Sequence, residues 1–290
     1  MKPAPFQYSR ADSVESILAR LSELGYEAKL LAGGQSLVPA MNLRLARPSF
    51  LIDITHVDAL RGIDAGTAIT IGATTRQAEV YRSAEVRSAV PMLAKALRFV
   101  GHPATRSQGT VGGSVAHADP AAELPTVLLA LGATCDIAGP RGARSVTADE
   151  FFRTYFTTDV GDDELLTGVR IPRSGPNTRQ TFREAARRHG DFALIGVAAS
   201  IDFDDADVVR SARIALCGVA DRPVRATEAE RSLEGAALTE DAIREAAALA
   251  TTDLSPPSDV HASGAYRRRI AEQYVRRALG DCHARGAQHA

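Results

Sequence analysis

Apolar positions 14, 17, 18, 21 and 24 of DSVESILARLSELG fall on one helical face, with Asp12 or Ser13 as N-cap and Gly25 as the stop. The short apolar run AKLLA (28–32) then reads as a buried strand. SLVPAMNLRLA reads as a helix capped by Ser36, with Pro39 tolerated in its first turn. FLIDI (50–54) is a second buried strand. LRGIDAGTAITIGATT alternates like a hairpin turning at Ala65-Gly66 and ends at a helix cap, Thr74 or Thr75. The run 83–101 is periodic as one helix with a glycine stop. AAELPTVLLALG is apolar all round, a buried helix, followed by the strands ATCDIAG and DELLTGVRIP (163–172).

RSGPNTRQ (173–180) gathers loop formers between two periodic regions and is the expected linker. Beyond it lie three strand-like runs, TFREAAR, ALIGVAASIDF and VRSARIALCGV, and then helical runs at 226–235, 239–250 and 263–279. Strands first and helices after is an α+β order, a three-stranded sheet with a helical layer on one face. In YRRRIAEQYVRRAL the residues Tyr266, Ile270, Tyr274 and Leu279 read as the packed side, and the arginines as a solvated side or a contact for a partner subunit or RNA.

Composition narrows the classes. With 290 residues, 45% hydrophobic and 24% charged, the chain is an ordinary globular protein of about two domains. Its net charge of -1 supplies no overall field for nucleic acid or anionic lipid. The three cysteines, Cys135, Cys217 and Cys282, lie far apart and form neither a disulfide framework nor an iron–sulfur or zinc set. The start carries no apolar leader, and no run approaches the ~18 apolar residues of a membrane span, so a cytoplasmic setting is expected. Among the seven histidines (56, 102, 117, 189, 261, 283 and 289) there is no H-E-x-x-H and no compact ligand set. Ser36 and Ser114 lack a G-x-S-x-G setting for a hydrolase nucleophile.

What remains is a repeated arrangement: LLAGGQS (30–36) and GTVGGS (109–114) each place a glycine pair and a small hydroxyl residue between an apolar run and a helix-like run. Glycine permits positive φ and close approach. Successive amides in such bends form an anion-binding concavity, strengthened where a helix begins. Two such bends in one domain could grip a diphosphate from opposite sides. Each pair alone reads equally as a tight strand-to-helix connection, and neither fits G-x-G-x-x-G or a P-loop.

LAGGQSLVPAMNLRLARPSFLIDI together with GTVGGSVAHADPAAELPTVLLALGA resembles the FAD-binding medium subunit of molybdenum-containing hydroxylases, of the aerobic carbon monoxide dehydrogenase type within the xanthine dehydrogenase family. The start FQYSRADSVESILARL, DELLTGVRIP and RRHGDFALIGVAAS extend the resemblance over nearly the whole chain, in the right order. The resemblance implies an α+β fold: a two-part FAD-binding domain of the vanillyl-alcohol-oxidase type over 1–175 (subdomains about 1–55 and 56–175), then a small domain over 176–290 with a three-stranded antiparallel sheet and a helical layer. It places Ala32, Gly33, Gly34, Gln35, Ser36 and Leu37 on one side of a non-covalent FAD, and Thr110, Val111, Gly112, Gly113 and Ser114 on the other. Relatives often carry asparagine where Ser114 stands, and histidine or threonine where Gln35 stands. Glu123 replaces a more usual aspartate.

By the same resemblance Asp119 and Glu123 lie on the ribose and second-phosphate side, and Leu165 and Leu166 cover the adenine end. Phe192 stacks on the isoalloxazine, while His102 and Arg106 lie on a loop passing close to the cofactor. On residue chemistry alone, Glu123 is equally a first-turn helix carboxylate, the two leucines strand core, and Phe192 a core phenylalanine. The implied role is electron exit. Substrate is oxidised at a molybdenum cofactor in a large molybdopterin-binding subunit, and electrons pass through 2Fe–2S clusters of a small subunit to FAD here and then to an external acceptor. A dimer of heterotrimers is the implied assembly. No catalytic acid or base is required of this chain. Two rivals are a stand-alone FAD-dependent oxidoreductase on the same scaffold, which needs its own substrate pocket and acid/base residue, and a cofactor-free scaffold subunit, which predicts degraded glycine motifs.

Overall fold

The computed structural model describes residues 2–287; His289 lies outside them. The N-terminal layer is a parallel three-stranded sheet built by two crossovers. Strand β1 (Gln7–Arg10) leads through helix α1 (Val14–Leu24) to β2 (Ala28–Leu31), and then through α2 (Leu37–Asn42) to β3 (Phe50–Asp53), in the spatial order β1-β3-β2. Of the two expected caps for α1 it is Ser13 that serves, accepting from the Ser16 amide at 3.1 Å while the Ser16 hydroxyl reaches back. Ile17 and Leu21 then pack on Ile52, Ile54 and Leu60. The periodicity does not anticipate β1, four mostly exposed residues hydrogen-bonded along the edge of β3.

The middle layer is an antiparallel sheet in the order β4-β5-β10-β6-β7. The hairpin of β4 (Ile63–Ala65) and β5 (Ala68–Gly72) turns where expected. The Thr74 and Thr75 hydroxyls, expected to cap a helix, instead donate to the carbonyls of Leu60 and Gly62. Helix α3 (Gln77–Arg82) therefore starts after Arg76 without a side-chain cap. The single helix expected over 83–101 is two, α4 (Ala84–Ala89) and α5 (Pro91–Ala96). Pro91 has no amide to donate and forces Val90 out of helical geometry, so it opens a new helix. Helices α6 (Pro103–Gln108), α7 (Val111–His117) and α8 (Glu123–Ala130) precede the hairpin of β6 (Thr134–Gly139) and β7 (Gly142–Thr147). After it come α9 (Ala148–Phe151), the small hairpin of β8 (Phe152–Thr154) and β9 (Thr157–Thr158), and β10 (Leu165–Pro172). Strand β10 runs back between β5 and β6 and sets Val169 opposite both Ile71 and Cys135, all fully buried.

Residues 173–177 connect to the C-terminal sheet, so the expected linker ends sooner than 180. Three long antiparallel strands, β11 (Thr178–Ala185), β12 (Ile195–Phe203) and β13 (Val209–Cys217), carry a two-residue edge strand β14 (Val224–Arg225). Alternation along β12 explains its near-continuous apolar sequence. Ile195, Val197, Ala199 and Ile201 pack under helices α10 (Thr227–Leu233), α11 (Glu240–Leu249) and α12 (Gly264–Ala287), while Ala198 joins the core of the middle layer. The face toward α8 is lined by small residues, Gly196, Ala198 and Ala215, which lets helix and sheet approach closely. Helix α12 outruns its expected end. Its packed side is Ile270, Val275, Ala278 and Leu279, whereas Tyr266, expected inside, is exposed under the Arg269 guanidinium.

Candidate functional site

The two glycine bends, far apart in sequence, touch. A Cβ added to Gly33 would lie 2.5 Å from the Gln108 carbonyl oxygen and 2.8 Å from the Gly109 Cα. One added to Gly112 would lie 2.5 Å from the Ala73 Cβ and 2.6 Å from its Cα. Both glycines are therefore required for backbone-to-backbone approach. Gly34, at φ +71°, supplies the left-handed turn that swings the chain from β2 into α2. Gly113 is exposed beside Thr110, and a side chain on it would meet the Thr110 hydroxyl at 2.7 Å and the Ala32 methyl at 3.9 Å. Ala32–Leu37 thus border one surface with Gly113 and Ser114, over the buried Thr110, Val111 and Gly112.

Hydrogen-bond accounting separates the two bends. In the first, the backbone amides of Gly33, Gly34, Gln35, Ser36 and Leu37 find no acceptor within the described residues. Ser36 was expected to cap α2, but it is already in helical conformation and its hydroxyl makes no capping bond. Gln35 is exposed and donates from Nε2 to the Gly33 carbonyl. In the second bend the amides are committed. Val111 donates to the Thr75 carbonyl, Gly112 to the Ala73 carbonyl, Gly113 to the Thr110 hydroxyl and Ser114 to the Thr110 carbonyl. The expectation of two amide concavities is corrected accordingly. The glycine pair at 112–113 lies inside the first turn of α7, not in a loop before it, and only the 33–37 bend presents a run of bare amides. The second bend offers close approach, an exposed glycine and two hydroxyl residues.

A second group of expected residues gathers at the β11–β12 connection. His102 caps α6 through its backbone position, and its ring lies 6.3 Å from that of His189 at 21°, a stacked pair. Gly190, at φ +86°, approaches His102 so closely that a Cβ would sit 2.7 Å from its Cε1. The guanidinium of Arg106 donates to the carbonyls of Val100 and Gly101, so this side chain fastens the turn leading into α6. Phe192, two residues beyond Gly190, is 71% exposed. It is not the core phenylalanine that its strand-flanking position allowed.

Asp119 follows Ala118, which sits in the left-handed region at φ +50°, and its carboxylate accepts from the Ala121 amide at 2.8 Å. The next carbonyl, of Pro120, accepts from the Gly218 amide at the end of β13, tying this turn to the C-terminal sheet. Glu123 is the first residue of α8 and is buried, 7% exposed. Desolvation is the main cause that pushes its carboxyl up to about 7, and the neighbouring Asp119 charge adds to it. Its partner is Glu184 on β11, pushed up to about 8 by burial and by Glu123 itself. One Glu184 oxygen is buried with no hydrogen-bond partner. The sequence reading missed Glu184 and His189, for which no spacing signal exists. Their partners are supplied by helices some sixty to ninety residues earlier in the chain. Leu165 and Leu166 are both buried. Leu165 packs with the N-terminal layer and Leu166 with the middle one, on opposite faces of β10.

His117 packs its ring 5.0 Å from that of Phe156, and burial lowers its pKa. Among the described residues no group of three or more His, Cys, Asp or Glu could hold a metal ion. Burial pushes the Cys135 thiol up to about 12 and Cys217 higher still, so neither is a thiolate at neutral pH. No described helix is long and apolar enough to cross a membrane.

Both bends lie within the part of the chain that matches one known family model. Residues 4–174 match the model of the FAD binding domain in molybdopterin dehydrogenase, and residues 180–282 match that of the CO dehydrogenase flavoprotein C-terminal domain. The chain is 40% identical to the 6-hydroxypseudooxynicotine dehydrogenase complex subunit alpha of Paenarthrobacter nicotinovorans, over 96% of this chain and 95% of that one. It is 36% identical to the carbon monoxide dehydrogenase medium chain of Hydrogenophaga pseudoflava, over 99% and 100%. Among solved structures, a carbon monoxide dehydrogenase chain from Hydrogenophaga pseudoflava superposes with a TM-score of 0.96 at 37% identity, covering 98% of this chain and 99% of that one. A chain of quinoline 2-oxidoreductase from Pseudomonas putida 86 does so at 0.92 and 36%, covering 98% and 99%.

Proposed function

The chain belongs to the FAD-binding medium subunits of carbon monoxide dehydrogenase-type molybdenum hydroxylases, and from that premise we propose that it is the electron-exit station of such a complex. Its partners are then a large molybdopterin-binding subunit and a small 2Fe–2S subunit, in a dimer of heterotrimers. FAD, when bound, supplies redox chemistry able to take electrons from iron–sulfur clusters and release them to an external acceptor. The observation that carries this reading is the run of bare amides at 33–37 pressed against the 108–114 segment. Those donors suit a diphosphate, and both approaches depend on missing Cβ atoms.

In this proposal the 33–37 amides bind the diphosphate, and Ala32 and Leu37 flank it. Thr110, Val111, Gly112, Gly113 and Ser114 wall the opposite side, through the exposed Gly113 and the Ser114 hydroxyl, with Thr110, Val111 and Gly112 buried behind them. Asp119 and Glu123 face the ribose side. Leu165 and Leu166, buried on opposite faces of β10, bear on the adenine end only through the placement of that strand and not as a common lining. Phe192 covers the ring system and keeps water off it. His102 and Arg106 shape the adjoining turn, His102 by contact with Gly190 and Arg106 by fastening the carbonyls at 100–101. The FAD-binding part extends over 1–175 and the C-terminal part over 176–290.

Purified complex is expected to hold FAD in a one-to-one ratio with this chain, released by acid as yellow colour. Complex that contains molybdenum and iron but no flavin would end the proposal. A second expectation concerns Phe192. Because its ring is largely in solvent, Phe192→Ala should change the stability of flavin-free protein by no more than about 0.5 kcal/mol. Flavin affinity should fall roughly tenfold, the loss of ~1.4 kcal/mol of stacking and burial. Fluorescence titration with FAD measures it, and unchanged affinity removes Phe192 from the binding surface.

A further inference from the structure

The seam between the middle layer and the C-terminal sheet carries two carboxyls that the flavin reading leaves half explained. Strand register sets Glu184 of β11 opposite Gly196 of β12, and Gly196 opposite Cys217 of β13, in one cross-strand row. Helix α8 packs over β12 and β13 and brings Glu123, at its first position, to the Glu184 end of that row. Thr126, one turn further along α8, meets Cys217. Gly196 keeps the middle of the row open, since a Cβ there would lie 2.7 Å from the Cys217 Sγ. The Glu184 carboxyl hydrogen-bonds Glu123, and its second oxygen is buried without a partner.

Two carboxylates in contact in a buried seam cannot both be ionised without a large penalty; one proton between them removes the repulsion and supplies the hydrogen bond. The groups that bear on the pair are Asp119 before α8 and Cys217 on β13, neither of them a cation. The nearby cations are engaged elsewhere on β11: Lys95 donates to the Thr181 hydroxyl, and Arg183, the neighbour of Glu184, pairs with Asp281 of α12.

We propose that Glu184 is a positioning residue for the flavin-binding surface: by sharing one proton with Glu123 across the seam it holds Glu123 and the start of α8 in place, and loss of that proton to solvent loosens the seat. The inference rests on the flavin-binding reading above and adds to it a residue from the C-terminal sheet and a dependence on pH. Because the folded chain holds this proton more tightly than the unfolded chain, the stabilisation is fully present below the ordinary carboxyl value of 4.5. It is lost as pH rises past neutrality and the shared proton leaves the pair, because burial and the neighbouring carboxyl hold that proton above the ordinary carboxyl range.

The test uses the full chain and the variants Glu184→Gln and Glu123→Gln, each of which keeps a hydrogen bond across the seam but removes the shared proton. The melting temperature of flavin-free protein is followed from pH 5 to 9, and retained FAD is measured over the same range by release of free flavin fluorescence. Wild type is expected to lose several degrees of melting temperature, and most of its flavin, between neutral and alkaline pH. Glu184→Gln is expected to show a clearly shallower pH slope in both readouts. Should one variant fail to fold, the other decides by the same comparison. An identical pH slope in wild type and the folding variant overturns the proposal. The melting arm needs no flavin: a wild type that binds no FAD at any pH but still shows the slope refutes the flavin seat while leaving the shared proton standing.

Discussion

Gly33→Ala is expected to empty the protein of flavin and to lower its stability by roughly 1–3 kcal/mol, the usual cost of forcing a methyl into a closed contact. The new Cβ would stand 2.5 Å from the Gln108 carbonyl oxygen and 3.0 Å from the Thr110 nitrogen, and these are backbone atoms with no rotamer to escape into. The two segments must part, and the five bare amides of 33–37 lose their fixed aim. Gly112→Ala should behave alike, because its neighbour is Ala73, on the turn whose carbonyl holds the Gly112 amide. Gly66→Ala is the control. Its nearest neighbour, at 3.5 Å, is the flexible end of Asp64, so both stability and bound flavin should be unchanged. Absorbance of FAD per chain after gel filtration, with thermal denaturation alongside, reads all three. Full flavin in folded Gly33→Ala would refute the proposed grip on the diphosphate.

Removing Arg267 should cost more, about 3 kcal/mol, within the range for breaking a buried charged network. This arginine of α12 is 5% exposed and donates to the carbonyls of Leu194 and Gly218 and to the Asp259 carboxylate. Those carbonyls border both ends of the functional surface. Leu194 follows Phe192 by two residues, and the Gly218 amide holds the Pro120 carbonyl beside Asp119. Arg267→Ala leaves the two carbonyls without this donor and the Asp259 carboxylate with only the His261 and Ala262 amides. Its effect is expected to reach the Phe192 loop and the Asp119 turn through those backbone bonds. Chemical denaturation measures the loss, and hydrogen exchange at 190–195 and 218–220 should rise with it. A loss below about 0.5 kcal/mol, the scale of an ordinary surface substitution, would show that Arg267 is a solvated helix arginine like its neighbours Arg268 and Arg269.

Legibility from sequence followed the range of the forces involved. Local signals held: Ser13 before the apolar face of α1, the turn at Ala65-Gly66, and the uniformly apolar run of α8. The errors arose where a local signal had a stronger competitor. Pro91 ended a helix that periodicity carried through, because its ring fixes φ and removes a donor. Thr74, Thr75 and Ser36 have the chemistry of caps, but two of these hydroxyls found carbonyls across a loop and the third lies in a residue that is already helical. Leu165 and Leu166 read as a pair, yet their alternation in β10 sends one into each of two cores.

By itself the sequence determined much of the order of elements, three long strands ahead of the last helices in the C-terminal part, and the two glycine pairs at which close approach is possible. Propensity, capping and steric exclusion act within a few residues. Only the tertiary structure decided that the two glycine bends touch, and that one of them keeps its amides bare while the other spends them on Ala73 and Thr75. It alone set Glu184 against Glu123. A donor's acceptor, or a carboxyl's neighbour, is fixed by which distant strand and helix pack together, and no local pattern of apolar and polar positions carries that partnership.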